Sequence, residues 1–392
     1  KLSGTLPESW SSMVSMQQLC MYSNPGLTGT LPESWSSMVS MEWLYLQSNP
    51  GLTGTLPESW SSMVNVKYLS MHSNSGLSGI LPVSWSSMVD MQVLYLESNP
   101  GLTGTLPESW SSMVRMQMLY LHSNPGLSGT LPESWSSMAS MQELYLYSNP
   151  ELSGTIPESW AAMVSLKALS LNNMNLHGQL PPTVFAGMSS LQSLRVYGNK
   201  FTEGSPDFLA GLTKLREADL SNNKLDWDIG DTVNAIFQLE YLISFRIDSN
   251  EIKGDAADIY TFDGTAKTIQ NINALTLLSL AGNRISGQLP ALAFTASAYR
   301  SFTALQSFNA ESNFLTGTVP SIIVTQLSTV RLAHNPRLAT AENGVLPSFL
   351  APGVVFSLLS NVPDVHKRSN NFIAHLLCPN VVDKSNPEQT VL

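Results

Sequence analysis

The chain is poor in charge: 12% of its 392 residues are Asp, Glu, Lys or Arg, and they sum to −10. No basic stripe is visible, which excludes the usual footprint of a nucleic-acid binder. The acidic balance argues equally against an anionic membrane surface. No run of about 18 apolar residues occurs, so no direct membrane insertion is expected in this segment. Only two cysteines are present, Cys20 and Cys378, too few for a disulfide framework. There is no N-x-Ser/Thr sequon. A P-loop and a G-x-S-x-G nucleophile motif are also absent, and the six histidines are scattered. The expectation is a protein that is not an enzyme and needs no cofactor. The chain starts at Lys1 partway through a repeat, which reads as a mature product or a fragment.

What is abundant is repetition. The stretch SNPGLTGTLPESWSSM, Ser48 to Met63, recurs almost letter for letter from Ser23, Ser98 and Ser123, and more loosely from Ser73 and Ser148. The Leu-Pro step at Leu6 returns at Leu31, Leu56, Leu81, Leu106 and Leu131, and as Ile-Pro at Ile156, always 25 residues on. The unit Met41 to Asn65 has the skeleton L-x-x-L-x-L-x-x-N followed by L-x-G-x-L-P. That is the leucine-rich repeat signature, and its second half resembles the plant-type subclass. About fourteen units begin near Met16, Met41, Val66, Met91, Met116, Met141, Leu166, Leu191, Leu215, Leu242, Leu275, Leu305, Leu327 and Gly353.

The expected fold is an α/β, β-rich leucine-rich repeat solenoid. It would be a right-handed curved horseshoe with a concave parallel β-sheet and a mostly irregular or 3-10 convex side. In each unit two leucines alternate inward around an outward residue, as Leu44 and Leu46 do around Tyr45. An asparagine then satisfies backbone groups of adjoining coils. This ladder runs through Asn24, Asn49, Asn74, Asn99, Asn124 and Asn149, and from Asn199 through Asn223, Asn250, Asn283, Asn313 and Asn335 to Asn361. It breaks at Met174, where a local irregularity is expected. Asn-Pro-Gly reads as a turn, with Pro presetting φ and Gly accepting positive φ. The Trp column from Trp10 to Trp160, with Met63 and its equivalents, is expected in the core.

Three regions follow: near-identical repeats over 1–165, divergent repeats over 166–350 with an insertion at 254–274, and a last repeat with C-terminal cap over 351–392. The insertion is long for a repeat loop, and long loops often carry function.

The informative residues are those that change between copies. Position three of the strand segment reads Gln18, Trp43, Tyr68, Val93, Met118, Glu143. Position five reads Cys20, Tyr45, Ser70, Tyr95, Tyr120, Tyr145, and position seven Tyr22, Gln47, His72, Glu97, His122, Tyr147. All three face out of the concave sheet. Convex Glu33, Glu58, Glu108, Glu133 and Glu158 barely vary, Val83 excepted. Neutral drift should touch both faces alike, so the pattern points to a concave surface varied for recognition. The candidate ligand-binding residues are Trp43, Tyr45, Tyr68, His72, Tyr95, Glu97, Tyr120, His122, Tyr145, Tyr147, Arg195 and Arg246. Tyr and Trp give large contact area at low entropy cost. The expected partner is a protein, peptide or glycan, with no nucleic acid.

Other signals are weaker. His72, Glu97 and His122 share a column, but strand spacing puts the outer two about 10 Å apart, too far to converge on one metal. The run DWDIGD, Asp226 to Asp231, lacks calcium-loop spacing. Thr-x-Thr pairs such as Thr28/Thr30, Thr53/Thr55 and Thr103/Thr105 resemble ice-binding arrays, an alternative function. The two cysteines, at opposite ends of a solenoid, cannot pair with each other.

The combination of LPESWSSM with LYLxSNPGLTGT resembles the kinetoplastid promastigote-surface-antigen-like proteins over roughly Lys1 to Ser165. Plant receptor ectodomains share the L-[ST]-G-x-[LI]-P half, so the fragment of such a receptor is a further alternative. The resemblance implies an extracellular or cell-surface recognition and adhesion module, anchored by a segment outside this sequence or secreted.

Overall fold

The computed structural model describes residues 1–202, 204–259, 274–289, 302, 304–319, 327–339 and 355–357. The chain forms two compact units, Lys1–Lys224 and Leu225–Leu392. The proposed cap, Cys378 and residues 260–273 of the insertion lie outside the described residues.

In the first unit every coil contributes one three-residue strand to a main parallel sheet: Gln18–Cys20, Trp43–Tyr45, Tyr68–Ser70, Val93–Tyr95, Met118–Tyr120, Glu143–Tyr145, Ala168–Ser170, Ser193–Arg195 and Glu217–Asp219. Strand order follows chain order and the sheet does not close on itself. Pairing is residue for residue, Tyr95 beside Tyr120 beside Tyr145. A second parallel sheet lies on the flank, built from segments such as Gly26–Thr30, Leu52–Thr55 and Gly101–Thr105. The opposite side is a column of 3-10 turns, Glu8–Ser12 through Glu158–Ala162. Each opens on a proline at extended φ, ψ and closes when the Met amide donates to the Trp carbonyl. Five residues of Glu, Trp and Ser between such ends are too few for an α-helix.

The second unit repeats the plan. Its main strands are Ser244–Arg246, Leu277–Ser279, Ser307–Asn309, Thr329–Arg331 and Val355–Ser357. Across both units, each of these strands begins two residues after a repeat start read from the sequence. The DWDIGD carboxylates here are structural: Asp228 caps the helix Ile229–Ile236 by accepting from the Gly230 amide at 2.8 Å. Asp226 pairs with Lys253 at 3.6 Å.

The core of the first unit is two ladders. Trp35, Trp60, Trp85, Trp110, Trp135 and Trp160 are 0–1% exposed. Their indole N–H groups donate to the proline carbonyl of the preceding coil, Trp60 to Pro32 at 2.9 Å. Neighbouring indoles stack nearly parallel at 6.0–6.5 Å. On the other side of the coil, tyrosine rings stack at 4.4 Å. Within this unit, therefore, coils spread on the Trp side and converge on the Tyr side.

The second ladder is the asparagines. Asn49, fully buried, donates from Nδ2 to the carbonyls of Met21 and Leu46 at 3.0 and 2.7 Å. Its Oδ1 accepts the Asn24 amide at 2.8 Å. One side chain thus satisfies three backbone groups in two coils. At Met174 the ladder changes register. Before it, each Oδ1 accepts the amide of the preceding coil's asparagine. Beyond it, the donor sits two residues past the equivalent position: Leu176 to Asn199 and Phe201 to Asn223 in the first unit, Ile252 to Asn283 in the second. Here Asn149-Pro150-Glu151-Leu152 gives way to the one-residue-shorter Met174-Asn175-Leu176. The lost residue reappears in the turn Pro182–Gly187, which becomes a single α-helical turn with Phe185 in the place of Trp.

Two readings of the turn and the convex side need correction. The Asn49-to-Leu52 turn forms, the Leu52 amide donating to the Asn49 carbonyl at 3.0 Å. However, Gly51 is not at positive φ. It is there because a Cβ would sit 2.3 Å from the Leu27 carbonyl oxygen of the preceding coil. Positive φ falls instead on Gly54, at +81°, and on Ser48, at +60°. The convex glutamates are not free to drift either. The Oγ of Ser34, Ser59, Ser84 and Ser134 donates to the carboxylates of Glu8, Glu33, Glu58 and Glu108 in the preceding coil, and Thr183 donates to Glu158. These bonds tie the glutamates to the scaffold, so the contrast between faces has a structural component.

Two outcomes test this scaffold. Trp60→Ala is expected to cost about 3–5 kcal/mol in denaturant titration, because it opens a cavity and removes one of the two hydrogen bonds to the Pro32 carbonyl; a loss under about 1 kcal/mol would contradict the burial. Deleting residues 91–115, one whole coil, is expected to leave a cooperatively melting protein, whereas deleting twelve of those residues breaks the register of both ladders. Equal melting of the two deletions would show that the coil is not the structural unit.

Candidate functional site

The main sheet of the first unit leaves one face open, and the candidate residues from Trp43 to Arg195 all lie on it. Short strands with Leu inward oblige positions three, five and seven to face outward. At position five the rings form a strip. Tyr95 and Tyr120 stack at 4.4 Å and 18°, and Tyr120 and Tyr145 at 4.4 Å and 16°. Position five of the third coil is Ser70, small and buried. Tyr68 leans across from position three into that gap, reaching Tyr45 at 4.9 Å and Tyr95 at 5.5 Å. Five tyrosines thereby touch in series. At one end, Lys67 lies 5.5 Å above the Trp43 ring while bonded to Glu42 at 2.6 Å.

Beside the strip runs the position-seven column of Gln47, His72, Glu97, His122 and Tyr147. His122 stacks on Tyr147 at 4.1 Å and 16°. The Nδ1 of His72 stands 3.8 Å from the Glu97 carboxylate. Three polar atoms of this column, Gln47 Oε1, Glu97 Oε2 and His122 Nδ1, are buried and have no hydrogen-bond partner within the protein. Such groups are uncommon in folded proteins and carry a desolvation cost. Burial accordingly pushes the Glu97 carboxyl up to about 7, partly offset by its own backbone amide. Burial lowers His122 to about 4, with His72 adding to the effect, and holds His72 below its usual value. Burial also raises Tyr45, Tyr68, Tyr95, Tyr120, Tyr145 and Tyr147. Among the described residues, no three His, Cys, Asp or Glu converge as metal ligands.

Sequence reasoning missed two participants. The Tyr120 hydroxyl donates to Glu143, and that of Tyr95 lies 3.3 Å from the Met118 sulfur. Both partners stand at position three, one coil beyond the tyrosine, so adding diagonal neighbours to the column alignment would have found them. Arg195, exposed, pairs with Glu217 at 2.9 Å at the far end of this face. Arg246 is exposed on the second unit's own sheet. The Thr-x-Thr pairs lie exposed on the flank sheet, but pairing there is offset, with Thr30 beside Thr53 and Ile80 beside Thr103.

The chain is a leucine-rich repeat protein. The family described as "Leucine rich repeat" matches residues 164–225. A curated relative, the receptor-like kinase TMK2 of Arabidopsis thaliana, is 27% identical over 192 residues, 37% of this chain. The match spans 20% of that relative's length. Among solved structures, a TDR receptor is similar with a TM-score of 0.65 and 22% identity, over 86% of this chain and 62% of that one. The ectodomain of the Arabidopsis receptor kinase HAESA, bound to an IDA peptide hormone, has a TM-score of 0.61 and 21% identity, over 86% and 60%. An internalin from Listeria monocytogenes has a TM-score of 0.63 and 19% identity, over 85% and 84%. These likenesses show the fold, an open leucine-rich repeat solenoid.

The burial of Glu97 has a measurable consequence. Between its ordinary 4.5 and about 7, the folded state holds more protons than the unfolded chain, so stability falls as pH rises through this window. His122 acts in the opposite direction between about 4 and 6.5. Comparing Glu97→Gln with the wild type isolates the carboxylate. The variant is expected to gain on the wild type progressively from about pH 4.5 to 8, by at most about 3 kcal/mol. A difference in melting temperature that stays constant over this range would refute the assignment.

Proposed function

We propose that this protein is a non-catalytic recognition module of the cell surface or extracellular space, which holds a peptide or protein segment along the open face of its first unit. The observation that carries this reading is the tyrosine strip: five rings in serial contact on a rigid sheet, with the residues that vary most between copies concentrated around them. Rigid aromatic side chains in such a row lose little entropy on binding. The likeness to receptor ectodomains, one of them solved with a peptide hormone, supports a peptide over a glycan. It is also consistent with this chain being part of a receptor ectodomain. The LPESWSSM motif supports a surface antigen of the kinetoplastid type, and adhesion would then be one use of the same face.

The test is a screen of immobilised peptides and extracellular protein domains against this chain. For any hit, the triple change of Tyr95, Tyr120 and Tyr145 to Ala is expected to abolish binding with little effect on melting, since these rings point away from the core. Changing Val64, Val89 and Val114 to Thr, exposed positions off the open face, is expected to leave binding intact. Loss of binding in the valine variant, with the tyrosine variant unaffected, would place recognition elsewhere.

A further inference from the structure

The position-seven column departs from ordinary protein surface in one respect. It combines a carboxylate oxygen, an imidazole nitrogen and an amide oxygen that are buried and unpartnered within the protein, at Glu97, His122 and Gln47. Glu97 stands at the centre. His72 and His122 are on the two adjacent strands, and the Glu97 charge is felt by Tyr68, Tyr95 and Tyr147. Its other oxygen lies 3.8 Å from the His72 Nδ1. What remains is a buried carboxylate oxygen with no hydrogen-bond partner.

A bound cation answers the feature at the centre of this column. It would neutralise the carboxylate, donate a hydrogen bond to its orphaned oxygen and lie against the faces of the tyrosines, where ring quadrupoles favour positive charge. An anion would meet Glu97 directly. A neutral group would leave its charge buried and uncompensated. Both histidines are held neutral near pH 7, so neither supplies the missing positive charge. Lys67 is committed to Glu42, and Arg195 to Glu217.

Resting on the peptide-recognition reading above, we infer that the open face selects a peptide with a basic side chain, arginine or lysine, and seats that side chain on Glu97 between His72 and His122. The strands from Trp43 to Tyr147 span four intervals of about 4.8 Å, which an extended peptide crosses in about six residues. The basic residue would then fall near the middle of the bound segment, flanked by residues lying on the tyrosine strip.

The experiment uses the full chain and a positional library of nine-residue peptides. Each carries at its centre arginine, lysine, citrulline, norleucine or glutamate. Arginine- and lysine-centred peptides are expected to bind at least about tenfold more tightly than the citrulline and norleucine versions, and glutamate-centred ones least. Glu97→Gln is expected to erase that preference while retaining the weaker binding of neutral peptides, which also shows that the variant is folded. The preference should shrink between about pH 8 and 5.5 as Glu97, displaced to about 7, takes up its proton, while His122, held near 4, stays neutral. Peptides that bind through the tyrosine strip without regard to the central residue would overturn this inference and leave the recognition reading standing. A preference that survives Glu97→Gln would overturn the assignment to this carboxylate. Failure of every peptide to bind would overturn both.

Discussion

The structure hangs on the buried asparagine of each coil. A solenoid coil must turn three times within 25 residues, and each turn strands backbone amides and carbonyls away from water. Asn49 resolves this locally by donating to Leu46 of its own coil, and across coils through Met21 and Asn24. Because coils borrow an acceptor from the next, they must stack in strict register, and the main sheet inherits that register. The break at Met174 shows how tight the constraint is. Losing one asparagine coincides with losing one residue from the turn, gaining one in the helical segment, and shifting the donor by two positions thereafter. The Met163-to-Met188 interval is nonetheless still 25 residues.

The same register produces the chemistry of the open face. Residues at equivalent positions are placed side by side whether or not they suit each other. Tyrosines suit each other and stack. Glutamate and histidine buried in one column do not, and the result is a carboxylate displaced to about 7 and an imidazole displaced to about 4. Functional character here arises from a scaffold that prevents side chains from relaxing away from their neighbours.

Much of this was legible in the sequence. Alternating apolar residues, followed by asparagine everywhere but at Met174, locate the fourteen main-sheet strands among the described residues, because a period of two bounded by a polar cap has few other readings. The outward positions and the tyrosine strip follow from the same arithmetic. Less legible was anything that depends on what the next coil places at a given point. Gly51 looks like a turn residue, but its reason is the Leu27 carbonyl of the preceding coil. The convex glutamates look like solvent-facing residues, but the carboxylates of Glu8, Glu33, Glu58, Glu108 and Glu158 each receive a hydroxyl from the following coil. Tyr68 belongs to one column by sequence and contacts another because Ser70 leaves room. These are contacts 23 to 27 residues apart in sequence, which a single-unit reading does not reveal.

Residue-for-residue pairing also makes coil number a measure of length. Each additional 25-residue coil would lengthen the open face by one strand spacing, about 4.8 Å, and present its own three outward residues without disturbing those already there. Near-identical coils at their junctions make such insertions and losses structurally silent. Reach and chemistry are therefore separable in this architecture: the number of coils sets how long a segment can be held, and three positions per coil set what it must be.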